Sequence, residues 1–228
     1  MENKYGDSIA TRLARIKSTL NPGVELVAVS KFHPVEELQA AYDAGQRIFG
    51  ESRVQELVGK FDAMPGDVKW HFIGHLQTNK VKPLIGRVAL IESVDSLRLL
   101  ECIDAHSARA GVVTRVLMQV HVAREETKFG FDPDELVNWF KNCGFRDLKA
   151  TRIAGIMGMA SNTDNQARVA ADFHRIAETR NRILQTVGHE LTGFDTVSMG
   201  MSDDYPLAMA CGSNLVRIGT AIFGPREY

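Results

Sequence analysis

Eight short apolar runs, each separated from the next by a segment of different character, constrain this chain more than any other feature. They are LVAVS (26–30), RIFG (47–50), WHFIG (70–74), ALIESV (89–94), RVLMQVHV (115–122), RIAGIMGM (152–159), TVSMG (196–200) and LVRIG (215–219). Unbroken runs rich in Val, Ile and Leu suit parallel strands that are buried on both faces. Helix signals lie between them. Pro34 opens PVEELQAAYDAG and Gly45 closes it, the usual asymmetry of helix ends. Ser96 is placed to cap a helix holding Leu97, Leu100 and Ile103, and Asp132-Pro133 opens another. A longer helix is expected from about Asp164 to Val187. Before the first strand, Ile9, Leu13, Ile16 and Leu20 recur at helical spacing until Asn21-Pro22-Gly23 stops them.

Strands and helices alternating in this way predict an α/β fold, a TIM-like (β/α)8 barrel with an extra N-terminal helix. A doubly wound open sheet is the competing architecture. The first strand-to-helix turn, SKFHP, lacks the G-x-G-x-x-G of a dinucleotide-binding sheet. Nine residues follow the last run, too few for a full eighth helix, so the N-terminal helix is expected to cover the flank left open. No Gly/Ser-rich linker divides the chain, and residues 1–228 read as one domain.

Charge and cysteine content narrow the function. Lys plus Arg number 27 against 28 Asp plus Glu, without the clustered basic excess of a nucleic-acid surface. The first residues carry no apolar stretch of the kind a secretory signal needs, and no run reaches the ~18 apolar residues of a membrane span. The expected setting is therefore cytoplasmic, with neither membrane nor nucleic acid as partner. Cys102, Cys143 and Cys211 form no C-x-x-C pair, which argues against zinc and against a disulfide framework.

The chemistry concentrates at strand ends. After the seventh strand comes SMGMSDD (198–204), and the eighth runs into RIGTAIFG (217–224). Barrels commonly form phosphate sites from these two loops. Gly200 and Gly219 allow close backbone approach, while Ser198, Ser202 and Thr220 offer hydroxyl donors. Glycines that only make turns are the plainer explanation for either segment alone. Asp203 and Asp204 are expected to cap the helix after this loop. Lys31 follows the first strand directly, where barrel catalytic groups sit. Leu215, Arg217 and Gly219 share one side of the eighth strand. If that side faces the barrel axis, the guanidinium needs an acceptor, from a bound ligand or from a carboxylate of the barrel. Desolvation and a neighbouring cation lower a lysine pKa, and a neutral amine attacks aldehydes to give a Schiff base. Lysine, arginine and phosphate cradle together point to pyridoxal phosphate. A Schiff-base aldolase acting on sugar phosphates would use the same parts, but such barrels usually carry the lysine on strand six, where Met157 and Met159 stand here.

LVAVSK (26–31), AGQRIFGESRVQE (44–56), WHFIGHLQTNK (70–80), GIMGMAS (155–161), SMGMSDD and VRIGTAIFG (216–224) span nearly the whole chain. By these motifs it resembles the pyridoxal phosphate homeostasis proteins, relatives of the alanine racemase barrel domain. The resemblance implies pyridoxal 5'-phosphate as cofactor, held as a Schiff base on Lys31. It also implies phosphate contacts from the Ser198–Ser202 loop, including Gly200 and Met201, and from Gly219 and Thr220. Arg217 would meet the pyridine nitrogen and keep it unprotonated, weakening the ring as an electron sink. That suits holding the cofactor better than driving varied chemistry. Family members read GEN-x-VQE where this chain has GESRVQE, so Ser52 stands in place of asparagine, with fewer donors and less reach.

Three functions follow: a carrier active in vitamin B6 homeostasis without robust turnover, an amino-acid racemase, and a cofactor-free sugar-phosphate enzyme. Two-base racemisation wants a second base, which alanine racemase takes from an additional domain, whereas this sequence ends at Tyr228, just past the barrel. Recipients of the cofactor would be apo-enzymes that use it, and the chain is expected to be a monomer. Met157 and His71 are further candidates for cofactor contact, with a structural histidine as the competing role for His71. His71 and His75 lie on a strand-to-loop segment, which is not the helical setting of a zinc pair. Lys128, beside Glu125 and Glu126, is the rival Schiff-base lysine.

Overall fold

The structure, a computed structural model, describes residues 6–123 and 129–225. Lys128, Glu125, Glu126 and Tyr228 lie outside the described residues. The strands are β1 (Glu25–Val29), β2 (Ile48–Glu51), β3 (Lys69–Phe72), β4 (Leu90–Val94), β5 (Thr114–Val120), β6 (Thr151–Gly158), β7 (Thr196–Ser198) and β8 (Leu215–Ile218). Each pairs in parallel with its sequence neighbour, and β8 pairs back onto β1 to close the barrel, with Val27 opposite Arg217. The helices are α1 (Ile9–Thr19), α2 (Val35–Asp43), α3 (Val54–Phe61), α4 (Leu97–Ala110), α5 (Pro133–Lys141), α6 (Gln166–Val187), α7 (Tyr205–Ala210) and α8 (Thr220–Phe223). The (β/α)8 architecture expected from the runs is the one observed.

Local chemistry sets the element ends. Ser96 Oγ accepts from the Leu99 N–H at 3.3 Å, and Asp132 Oδ1 accepts from Asp134 and Glu135 at 2.8 and 3.2 Å. Pro34 sits one residue outside α2, at its cap. Two details depart from the sequence reading. Between β3 and β4 the chain makes two 3-10 turns, at 78–80 and 82–84, in place of an α-helix. Asp204 caps nothing with its side chain; Oδ1 turns back to accept from the Met201 N–H at 2.6 Å, which braces the loop rather than the helix.

Most of the core lies between barrel and helices, where Phe49, Trp70, Phe72, Phe140 and Phe173 are fully buried. Each such side chain contributes about 1.5–3 kcal/mol relative to exposure. A smaller apolar cluster of Val27, Leu90, Leu117, Ala154, Met157 and Leu215 fills the inside of the barrel. The pairing of β5 and β6 slips by one residue at Ala154, and there Gly155 takes φ +150°, with its Cα pressed so close to Thr196 that a Cβ would lie 1.9 Å from the carbonyl oxygen. No side chain fits at that position. As expected from the short tail, α8 has only four residues. Helix α1 lies against it, and Arg12 clasps its end by donating from Nε to Ile222 O at 2.6 Å and from Nη2 to Phe223 O at 3.3 Å.

Candidate functional site

The inward face of each strand is fixed by alternation, and at the C-terminal ends these faces surround one cleft of about 250 Å³. Val29 and Lys31 follow the inward register of β1, Ser52 that of β2, Ile73 that of β3, Met159 that of β6, and Arg217 and Gly219 that of β8. Met201, Ser202, Asp203 and Thr220 complete the wall, with His33 at the edge. A larger cavity of about 330 Å³ lies on the α1 side of the same wall, beside Arg12 and Arg15. There Arg12 is taken up by carbonyls and Arg15 pairs with Asp7 at 2.5 Å. The amine of Lys31 and the buried guanidinium of Arg217 line the first cleft together.

Lys31 sits on a tightly braced turn. The His33 N–H returns to Ser30 O at 3.1 Å, and Phe32 takes φ +69°, a conformation that costs a non-glycine residue of order 1 kcal/mol. Glu56 Oε2 holds it by accepting from the Phe32 N–H at 2.9 Å. Behind the turn, between barrel wall and α3, Lys60 Nζ donates to Ser30 O at 2.9 Å and to Glu51 Oε1 at 2.8 Å. Ser30 Oγ donates to the same carboxylate oxygen at 2.7 Å, while Glu51 Oε2 is buried with no hydrogen-bond partner. Burial pushes the Glu51 carboxyl above its ordinary value, against the pull of Lys60 and Ser30.

Below the cleft the barrel interior is polar. Glu92 on β4 exposes no surface. His71 Nδ1 donates to its Oε1 at 2.7 Å and Ser198 Oγ to its Oε2 at 2.5 Å. Arg217 Nη1 donates to Ser198 Oγ at 2.5 Å and lies 3.7 Å from Glu92 Oε2, and Nη2 donates to Gly158 O at 3.1 Å. Burial alone would raise the Glu92 pKa, but the His71 bond and charge, Arg217 and Ser198 outweigh it and hold the carboxyl below its ordinary value. Burial also lowers the Arg217 pKa, against Glu92 and Asp204, from a starting value so high that the guanidinium keeps its charge. The question left open by the sequence is answered: Arg217 faces the axis, and protein groups supply its acceptors.

Of the ten residues singled out from sequence, Lys31, Met201, Ser202, Arg217, Gly219 and Thr220 line the cleft. The other four lie elsewhere. Ser198 is fully buried, its hydroxyl spent between Glu92 and Arg217 rather than offered to a phosphate. His71 takes the structural role, bonded to Glu92. Met157 belongs to the apolar layer below, and Met159, two residues on, reaches the cleft. Gly200, at φ +95°, shapes the loop: a Cβ there would come 2.6 Å from that of Ala208. Sequence reasoning missed His33, Ile73 and Glu92. Glu92 left a signal, a carboxylate in the middle of the apolar run ALIESV.

Comparison with known proteins agrees with this geometry. Residues 6–227 match the family described as alanine racemase, N-terminal domain. A pyridoxal phosphate homeostasis protein of Aquifex aeolicus is 37% identical over 205 residues, covering 90% of this chain and 88% of the relative. One from Schizosaccharomyces pombe is 39% identical over 206 residues, covering 89% and 84%. The solved structure of PipY from Synechococcus elongatus PCC7942 with PLP bound superposes with a TM-score of 0.86 at 36% identity, over 95% of this chain and all of that one.

Proposed function

Because this chain belongs to the alanine racemase N-terminal domain family, and within it to the pyridoxal phosphate homeostasis proteins, we propose that it binds pyridoxal 5'-phosphate and serves in vitamin B6 homeostasis. The observation that carries this reading is a single cleft walled by one lysine, one buried arginine and the hydroxyls of Ser202 and Thr220. The residues fit the group. An aldehyde, a ring nitrogen that accepts, and a phosphate ask for an amine, a donor that stays charged, and a set of short donors with room for the backbone. Gly219 lets the end of β8 lie close against β1, since a Cβ there would press on Val29 O at 3.1 Å.

When bound, the cofactor supplies an aldehyde with which a primary amine condenses, releasing water. Lys31 is the amine that retains it. Ser202 and Thr220 grip the phosphate with their hydroxyls, helped by the first N–H groups of α8, which have no partner within the helix. Arg217 donates to the ring nitrogen. Ser198 acts through Arg217, and Gly200 gives the loop its path. The chain works as one domain and as a monomer, and apo-enzymes that use the cofactor receive it. No helix among the described residues is long and apolar enough to cross a membrane.

Incubation with pyridoxal phosphate should turn the purified protein yellow, and borohydride should fix the group on the peptide containing Lys31. Lys31→Ala should lose the visible absorbance and raise the dissociation constant about tenfold or more. A variant that keeps the full chromophore refutes the assignment of Lys31. Protein that never binds the cofactor refutes the function. Loss of optical activity from L-alanine would turn the reading towards a racemase.

A further inference from the structure

Barrel interiors are normally filled with branched apolar side chains in layers. Here the lowest layer obeys that rule, and the one directly beneath the cleft does not: it holds His71, Glu92, Ser198 and Arg217, all buried. Two opposite charges taken out of water rarely stabilise a fold more than an apolar filling of the same volume would. Stability therefore gives no reason for this layer, and its position does. Arg217 alone among the four also lines the cleft. Its guanidinium is tied at two points, to Ser198 Oγ and to Gly158 O, and the first of these is itself held by Glu92. The carboxylate is in turn fixed from the far side by His71.

We infer that Glu92 is a positioning residue for the cofactor ring: with His71 and Ser198 it tethers Arg217 to the cleft floor, so that the guanidinium meets a ring nitrogen and cannot swing to the phosphate. The inference rests on the cofactor reading above and names the groups that give Arg217 its direction. Asp204, two residues past Ser202 in the loop after β7, is the other carboxylate that acts on Arg217. With Glu92 gone, Asp204 and the ligand's own phosphate are the remaining anions, and both draw the guanidinium away from the ring.

The test compares two ligands, pyridoxal phosphate and its isostere with C–H in place of the ring nitrogen. Tight-binding preference for the first measures the contact between Arg217 and the ring. In the wild-type protein pyridoxal phosphate should win clearly. In Glu92→Gln the preference should shrink about tenfold, the worth of one charge-assisted hydrogen bond, while borohydride still fixes the cofactor on Lys31. A layer that merely supports the fold would weaken both ligands alike and leave the ratio where it was. Ser198→Ala keeps both charges and cuts the tether, so it should move the ratio in the same direction. It decides the matter if Glu92→Gln does not fold. An unchanged ratio in the folded variants overturns the inference alone. Wild-type protein that binds neither ligand overturns the cofactor reading with it.

Discussion

Glu51 and Glu92 lie two strands apart, expose no surface, and are pushed in opposite directions. Glu92 points into the barrel, where His71 and Ser198 donate to its two oxygens and Arg217 stands close behind. Glu51 points outward against α3, where Lys60 and Ser30 crowd onto one oxygen and leave the other with no partner. The lesson is that burial alone does not decide the state of a carboxyl. Around Glu92 the His71 bond and charge, the Arg217 charge and the Ser198 bond outweigh desolvation, whereas around Glu51 Lys60 and Ser30 do not, and the Glu56 carboxylate adds to the upward push. The inner cluster sits under the cleft and aims a side chain into it. The outer cluster braces the backbone from which Lys31 projects.

The comparison breaks most readily at Glu92. Glu92→Gln takes from buried Arg217 the carboxylate 3.7 Å away and leaves only Asp204 to act on it, which should cost about 3 kcal/mol in thermal or denaturant unfolding. A cost under half of that would mean that Arg217 finds its compensation elsewhere. Lys60→Met removes the cation of the outer pair, yet Glu51 can escape by taking up a proton, so the loss should be smaller, about 2 kcal/mol. An equal loss in the two variants would erase the distinction between the clusters.

Glu51→Gln should be the mildest, within about 1 kcal/mol at neutral pH, and it sharpens the comparison through its pH dependence. Glu51 has a folded pKa above its ordinary 4.5, so the folded chain holds that proton longer than the unfolded one. Its contribution to stability therefore falls as pH rises from about 4.5 through the folded value. Glu92, held below 4.5, contributes stability that is complete above that pH and is lost as pH falls through its folded value. Stability measured from pH 4 to pH 7 should thus rise more steeply in Glu51→Gln than in wild type. An identical slope would show that Glu51 titrates normally.

Much of this was legible in the sequence because strand burial leaves a one-dimensional trace. All eight apolar runs became strands, and Lys31 stood at a strand end by simple counting. What failed did so where the period of two stops applying. Strand β7 ends at Ser198, and Gly200 then turns the chain at φ +95°, so alternation no longer says which serine faces the cleft. Ser202 does and Ser198 does not. Met157 and Met159 share an inward face, and only the depth of each layer separates core from wall. The slip at Ala154 and the pairing of His71 with Glu92 depend on neighbouring strands, about which a single run carries no information.

Arg12 reaches across 210 residues to clasp the end of α8, and β8 closes the barrel against β1. Lys31 and Thr220, which line the same cleft, are thus brought together by the contacts most distant along the chain. Such closure comes late in folding, since long loops must be ordered before it returns anything. During synthesis Arg217, Gly219 and Thr220 are absent from the cleft until the eighth strand has left the ribosome, so this side of the wall is the last to be supplied.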